Sequence, residues 1–336
     1  HEDLPESLDL ISARTEFYTH PTALPTVERG SINLDLHRRD FTINTLALRL
    51  DGYHYGELHD YWGGLNDLNK GLIRVLHSLS FVDDPTRMLR AVRFEQRFNF
   101  QIEDRTVELI DGAIRLLERV SGDRIRHELD HIFSERHADK MLARLDHLQL
   151  LNAIQGNLKW DNWLCERIQQ LEDLAPEPEW HLEVHNNRLR SNLGYIFWLL
   201  RLSTTRTGMV IKRLKIPRKL ADDIFSAQDV WRDMNSFENM KPSEVVMRLE
   251  GIDTLSIYAN YLAGEDDVVK TILWNYVSDW RQVFPKTDGN VLRERGIPPG
   301  PIYRQILQTL RSAWLDGTIG SRQEEETLLK KFLPKE

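Results

Sequence analysis

Three arginines at intervals of three, Arg87, Arg90 and Arg93, follow a paired acid and a proline in the stretch Phe81-Val82-Asp83-Asp84-Pro85-Thr86-Arg87 and its continuation to Phe94. Guanidinium groups keep their charge at any pH a protein meets, and their forked N–H groups match phosphate oxygens in pairs. Such a row suits a triphosphate or a nucleic-acid backbone. Asp84 before Pro85 also reads as a helix start. The carboxylate accepts from orphan backbone N–H groups, and proline at the first helical position gives up no bond. The spacing predicts a helix over 84–98, with Met88, Leu89 and Val92 packing and the arginines spread along the other side.

A second polar group, Arg38-Arg39-Asp40-Phe41-Thr42-Ile43-Asn44, lies some forty residues earlier. Asp40 is expected to cap a helix starting at Phe41, with Asn44 one turn on. Taken alone, these residues form either a cap cluster or an anion grip. His54, His59 and Asp60 suggest a metal hydrolase, but no further His or Asp ligands follow at helical spacing. The following Gly63-Gly64 explains Asp60 better as a turn residue. Arg201, Arg206, Lys212, Arg213, Lys215, Arg218 and Lys219 share a stretch without acids. That stretch reads either as a phosphate-binding patch or as a solvated helix pair. The tryptophans at 160, 163, 180, 198, 231, 274, 280 and 314 read as core and interhelix packing.

The elements that must position these groups change character along the chain. Residues 8–19 alternate as a strand, Tyr18 to Leu36 reads as a long loop broken by Pro21 and Pro25, and 52–62 as a hairpin. From Asp84 the pattern is helical: 84–98, 103–118, 121–134, 137–148, 191–203, 206–214, 217–234, 242–249, 254–262, 265–284 and about 302–316. A boundary is expected within 157–183, where proline, tryptophan and acids mix. The fold class is therefore α+β, a small mixed-sheet start followed by a long all-α body.

The 336 residues suffice for two or more cores, and the balance of charged and apolar residues is that of a globular protein. There is no apolar run of membrane length. A single cysteine, Cys165, excludes a disulfide framework and a thiolate metal site and fits the cytoplasm. A net charge of −8 weighs against a nucleic-acid partner without excluding one, because a local basic patch is what binds phosphate. The chain opens on His1 and is expected to be part of a longer polypeptide.

Four stretches together resemble the class II tRNA nucleotidyltransferase and poly(A) polymerase family. Arg38 to Asn44 resembles its ribose-selecting motif, and Asp60-Tyr61-Trp62-Gly63-Gly64 its hinge. Asp84-Pro85-Thr86-Arg87 resembles its amino-acid template for the incoming base, and Ser121 to Leu129 the helix that braces the template. The order and spacing agree over residues 8–150. Gly289 through Tyr303 resembles the family's tail more loosely, and Phe81 to Phe98 looks closest to the A-adding and long multidomain members. The resemblance implies a nucleotidyltransferase head at 1–75, a helical neck at 76–155, a body at 156–270 and a tail at 271–336 that holds tRNA. It implies Mg²⁺ as cofactor and addition of A, or C and A, from ATP or CTP to the tRNA 3′ end.

It also implies site roles. Arg39, Asp40 and Asn44 fall at the sugar and triphosphate, Asp84 and Arg87 at the base, and Arg90 and Arg93 at phosphates. Asp84 would accept from an exocyclic amine while Arg87 donates to ring acceptors, which favours adenine and cytosine. Arg124, Arg126 and Glu128 read as a bracing salt-bridge network. The family's Gly-Gly turn with an Asp-x-Asp metal pair has no counterpart before Arg38; Asp9 lies on a strand where the family can carry a further acid, and a metal role for it rests on that analogy alone. Two alternatives stay open: a poly(A) polymerase acting on other RNA, and a tRNA-binding piece without catalysis.

Overall fold

The computed structural model describes residues 10–17, 26–183 and 188–332. Among the described residues its strands are short and confined to 14–102. β1 (Arg14–Phe17) pairs antiparallel with β2 (Thr26–Arg29). α1 (Ile32–His37) follows, with Ser31 capping the Leu34 N–H at 3.4 Å. The stretch expected as a loop from Tyr18 to Leu36 thus carries a strand and a helix in its second half. The prolines at 21 and 25 masked a Ser cap and a strand pairing that only becomes apparent once β1 is in place.

The helix expected from Phe41 is a single 3₁₀ turn, Thr42–Thr45. Leu46 is already extended, and β3 (Ala47–Leu48) leads directly into pairing with β4 (Leu58–His59). The hairpin expected at 52–62 therefore begins five residues earlier. α2 (Gly64–Lys70) and β5 (Leu72–Ile73) complete this part, and β5 pairs in parallel with β6 (Gln101–Ile102).

Asp84 does not start the arginine helix. It ends α3 (Ser80–Asp83), with φ −140° and ψ 97°, and α4 (Arg87–Phe98) begins three residues on. Proline clashes with an αR residue before it, so Asp84 is held extended. The apolar face of α4 is as expected: Met88, Leu89 and Val92 are fully buried. α5 (Asp104–Ala113) runs into a 3₁₀ turn, and α6 (Gly122–Ser134), α7 (Ala138–His147), α8 (Leu150–Ile154) and α9 (Asn162–Gln169) follow.

The remaining helices are α10 (Arg188–Leu200), α11 (Thr204–Leu214), α12 (Arg218–Asp233), α13 (Pro242–Leu249), α14 (Thr254–Ala263) and α15 (Asp267–Ser278). α16 (Gly289–Glu294), α17 (Pro301–Leu315) and α18 (Arg322–Leu329) end the described chain. The chain forms two compact units, His1–Glu172 with Thr205–Ile216, and Asp173–Thr204 with Pro217–Glu336.

In the first unit the core runs along α4, α6 and α7, where Leu89, Ile125, Leu129 and Leu142 are fully buried. In the second, α10 is buried along most of its length against α12 and α14, and Trp180 is fully buried against Tyr258 at 4.8 Å. A separate small core joins Leu292, Ile306, Leu310 and Leu329. The α+β expectation holds, with three two-stranded sheets in place of one mixed sheet among the described residues. Among them no helix is long and apolar enough to cross a membrane.

Candidate functional site

Arg39, Asp40, Asn44, Asp84, Arg87 and Arg90 line one cleft of about 520 Å³, together with Arg14, Arg38, Thr86 and Glu128. Groups as far apart in sequence as Arg14 and Glu128 converge here, and Arg87 and Arg90 of α4 tie that helix to the Arg38–Asn44 segment. Arg87, at the first turn of α4, is buried: one terminal nitrogen donates to Ser80 Oγ and the other to the Arg38 carbonyl, both at 2.7 Å. Two of its five N–H groups are so used, which locks the plane of the guanidinium and leaves the rest to the cleft.

Arg90, one turn on, donates from Nε to Asp40 Oδ2 at 2.8 Å, and its terminal nitrogen stands 2.6 Å from the same oxygen. Its other end reaches Glu128 at 3.6 Å. Burial works against its charge, but the Asp40 and Glu128 carboxylates outweigh burial and raise the Arg90 pKa. Asp40 uses its second oxygen locally, accepting from the Phe41 N–H at 3.0 Å and the Asn44 amide at 2.8 Å. Asn44 thereby aims Asp40, and Asp40 aims Arg90.

Arg39 turns back onto Asp35 Oδ2 at 3.0 Å, while Arg38 takes Oδ1 at 2.8 Å. Burial pushes the Asp35 carboxyl up. The hydrogen bonds from Arg38, Arg39 and the Arg14 N–H overcome it, so Asp35 titrates below its ordinary value. Asp84 collects three donors on one oxygen: the Thr86 N–H at 3.0 Å, the Thr86 hydroxyl at 2.7 Å and Arg124 at 2.7 Å. These fix the carboxylate while its other oxygen takes none of them.

Arg93 departs from the expected row. It is buried outside the cleft lining, 3.8 Å from Glu128, with its Nε unpartnered and its guanidinium over the Phe94 ring at 5.3 Å. Burial lowers its pKa and raises that of Glu128. Three-residue spacing turns the helix about 60° short of a full turn at each step, and two steps carry Arg93 away from the cleft. Glu128, Thr86, Arg14 and Arg38 were not singled out for the site by sequence. Thr86 sits inside the Asp-Pro-Thr-Arg stretch and could have been suspected from it. Asp9 lies outside the described residues.

The hinge residues behave as turn chemistry. Asp60 accepts from the Gly64 and Leu65 N–H groups at 2.7 and 3.1 Å, capping α2. Gly63 has φ +72°, and a Cβ on Gly64 would meet the Thr42 carbonyl at 2.3 Å. Asp67, also on α2, accepts from Thr42 Oγ1 at 2.7 Å and Arg74 Nε at 3.0 Å, tying the hinge to the segment that carries Asp40. Of the bracing residues, Arg124 and Glu128 meet the cleft acids and bases, whereas Arg126 donates to the Leu214 and Lys215 carbonyls. Within the acid-free stretch, Arg213 spends three N–H groups on the Ile154, Val120 and Leu117 carbonyls, and Lys215 pairs with Asp123 at 2.6 Å. Those two cations are structural ties.

Comparison with known proteins gives two family matches: "Poly A polymerase head domain" over residues 2–74 and "Probable RNA and SrmB- binding site of polymerase A" over 99–159. The A-adding tRNA nucleotidyltransferase of Geobacter sulfurreducens is 34% identical over 95% of this chain, which spans 37% of that protein. The enzyme of the same name from Halalkalibacterium halodurans is 30% identical over 97% of this chain and 74% of its own length. Among solved structures, the Thermotoga maritima CCA-adding enzyme complexed with tRNA is 30% identical, with a TM-score of 0.72 over 90% of this chain and 74% of that one.

Proposed function

The chain belongs to the tRNA nucleotidyltransferase family, and from that premise we propose that it takes part in adding A, or C and A, from ATP or CTP to the tRNA 3′ end. The observation that carries this reading is the convergence of Asp84, Arg87, Arg90, Asp40 and Arg39 on one cleft. Asp84 and Arg87 present an acceptor and donors on immobilised groups, a pattern complementary to the amine-beside-acceptor edge of adenine and cytosine. Guanine and uracil present a carbonyl where the amine would be. Such a mismatch leaves polar groups unpaired at the reader, which is the expensive outcome.

Arg90 and Arg39 supply the triphosphate grip. Both are held by acids, Asp40 and Asp35, so phosphate oxygens exchange for carboxylates already in place. Asp40, oriented by Asn44, is assigned the ribose, whose hydroxyl would donate to it. Arg93 acts at one remove, by fixing Glu128 against Arg90. Residues 1–75 and 76–155 would then serve as head and neck, and 156–270 and 271–336 as body and tail, in the cytoplasm.

Nucleotidyltransferases generally use divalent metal ions, and Mg²⁺ is the cation this reaction would call for, lowering the charge on the attacking 3′-hydroxyl and the leaving pyrophosphate. The acids described at this cleft do not fit it: Asp40, Asp84 and Glu128 are each matched to an arginine. The chain's own residues bind, select and orient the nucleotide.

The test is to titrate ATP, CTP, GTP and UTP separately into the chain by calorimetry, and to offer each, with a tRNA lacking its 3′ end, to a complete chain that carries the metal-binding acids. ATP, or ATP and CTP, should bind and be incorporated in preference. Equal handling of all four would end the base-reading claim. Because one matched family model describes poly(A) polymerase heads, the length of extension also decides: a product of one to three residues supports the tRNA reading, and a long homopolymer supports the other.

A further inference from the structure

We propose that His137, Asp139 and Glu172 form a binding site for a divalent cation of the zinc class, a function independent of the nucleotide reading above. One ligand atom from each lies within 4.8 Å of the other two. None of the three lines the nucleotide cleft.

The observation that asks for a ligand is Asp139. It stands in the first turn of α7 and is only 5% exposed. Its Oδ2 accepts from Gln169 Nε2 at 2.8 Å, whereas Oδ1 is buried with no hydrogen-bond partner. A buried carboxylate oxygen without a donor is costly, and a cation removes that cost. Beside it, His137 Nδ1 stands 3.0 Å from Glu172 Oε1, which also accepts the His137 backbone N–H at 2.7 Å. Glu172 is thus held in place by backbone, and Gln169 holds Asp139 from α9, as outer-shell partners of metal ligands do.

One imidazole and two carboxylates suit zinc or a similar borderline cation, with water completing the shell. Donor atoms on a tetrahedral cation at about 2.1 Å stand about 3.4 Å apart, so the widest pair must close by no more than about 1.4 Å. The positive end of α7 opposes a cation here. Two carboxylates outweigh it; burial first, and then the Asp139 and Glu166 carboxylates, raise the pKa of the nearby Cys165 thiol. A bound cation would clip the start of α7 to the segment after α9, both within the first unit. His137, with its ring half exposed, gives the ion its route from solvent.

The experiment is calorimetric titration of Zn²⁺ into the whole chain after chelator treatment, with thermal unfolding and the visible spectrum of the Co²⁺ form. One equivalent should bind, Tm should rise by several degrees, and Asp139→Asn and Glu172→Gln should each weaken binding at least tenfold. The decisive control is His127→Ala. His127 and His131 face each other across one turn of α6 with Nε2 atoms 3.1 Å apart, and are an exposed pair able to take zinc by themselves. Loss of the equivalent in His127→Ala with retention in Asp139→Asn would overturn the proposal, as would absence of saturable binding. If Asp139→Asn does not fold, Glu172→Gln, at the more exposed end, decides in the same way.

Discussion

Arg90 closes on Asp40 at 2.6 Å although fifty residues separate them, and the same guanidinium reaches Glu128 at 3.6 Å. One side chain therefore joins the Arg38–Asn44 segment, α4 and α6 at the floor of the cleft. Any anion that enters must share Arg90 with Asp40.

Arg90→Ala is expected to weaken ATP binding by about tenfold to a hundredfold, the loss of one or two hydrogen bonds to a charged group. It also leaves Asp40 buried without its counter-ion, so Tm should fall. Arg90→Lys should restore little, because one ammonium cannot serve Asp40 and a phosphate in the forked geometry. Calorimetry reads both, and an unchanged ATP affinity would remove Arg90 from the phosphate grip.

Arg87 should govern choice more than affinity. In Arg87→Ala the ratio of ATP to GTP affinity is expected to fall toward one, with a lower Tm because Ser80 and the Arg38 carbonyl lose their donor. Ser80→Ala is the milder variant. It frees one end of the guanidinium and should blunt the preference while the fold stays intact. Retained preference in Arg87→Ala would show that the base is read elsewhere.

Arg93 provides the contrast. Because it is buried on Glu128 outside the cleft, Arg93→Met should leave ATP affinity within about threefold while lowering Tm; replacing both members of a buried ion pair by apolar groups is often near neutral, but removing one leaves the Glu128 charge short of a partner. A loss of affinity as large as that of Arg90→Ala would place Arg93 directly on the phosphates.

The hinge can be tested by volume alone. Gly64→Ala puts a methyl 2.3 Å from the Thr42 carbonyl and must push the 42–45 turn away from α2. Gly63→Ala instead forces a side chain into left-handed backbone, at a cost of about 1–2 kcal/mol. Both should lower Tm. Only Gly64→Ala should also weaken nucleotide binding, since the turn it displaces leads back to Asp40.

In the second unit, burial first, and then the Asp253 and Asp222 carboxylates, push Asp223 up to about 6 from its ordinary 3.8, against Lys219. The folded state thus holds a proton that the unfolded state has released between those values. Stability conferred by the protonated form is present below the unfolded value and is lost as pH rises through about 6. Asp223→Asn should raise Tm at pH 7.5 and have its gain shrink as pH falls toward 4. A gain independent of pH would assign the effect to packing.

Local features were legible without the fold. The apolar face of α4, the turn chemistry of Asp60 and Gly63, and most helices from Arg87 onward follow from periodicity and capping, which act within a turn or two of the residue concerned. The region before Asp84 was less legible. β1 and β2 exist only as a pair, and a four-residue strand has little pattern of its own. Asp84 shows how a local rule can be outweighed by another. Its carboxylate does accept local N–H groups, but Pro85 forbids it a helical backbone, so the helix begins at Arg87.

By itself, the sequence determined which chemistries were at hand: arginines for phosphate, an acid beside a donor for a base edge, and the order of motifs by which the family is recognised. The tertiary structure alone decided how three arginines of one helix divide their work. Arg87 is anchored to Ser80 and the Arg38 carbonyl, Arg90 is shared between Asp40 and Glu128, and Arg93 is buried on Glu128. Periodicity gives a side chain's direction about its own helix axis. It carries no information about which carboxylate, from fifty residues earlier or thirty-five later, stands opposite, and in a buried charge that partner determines what the residue is free to do.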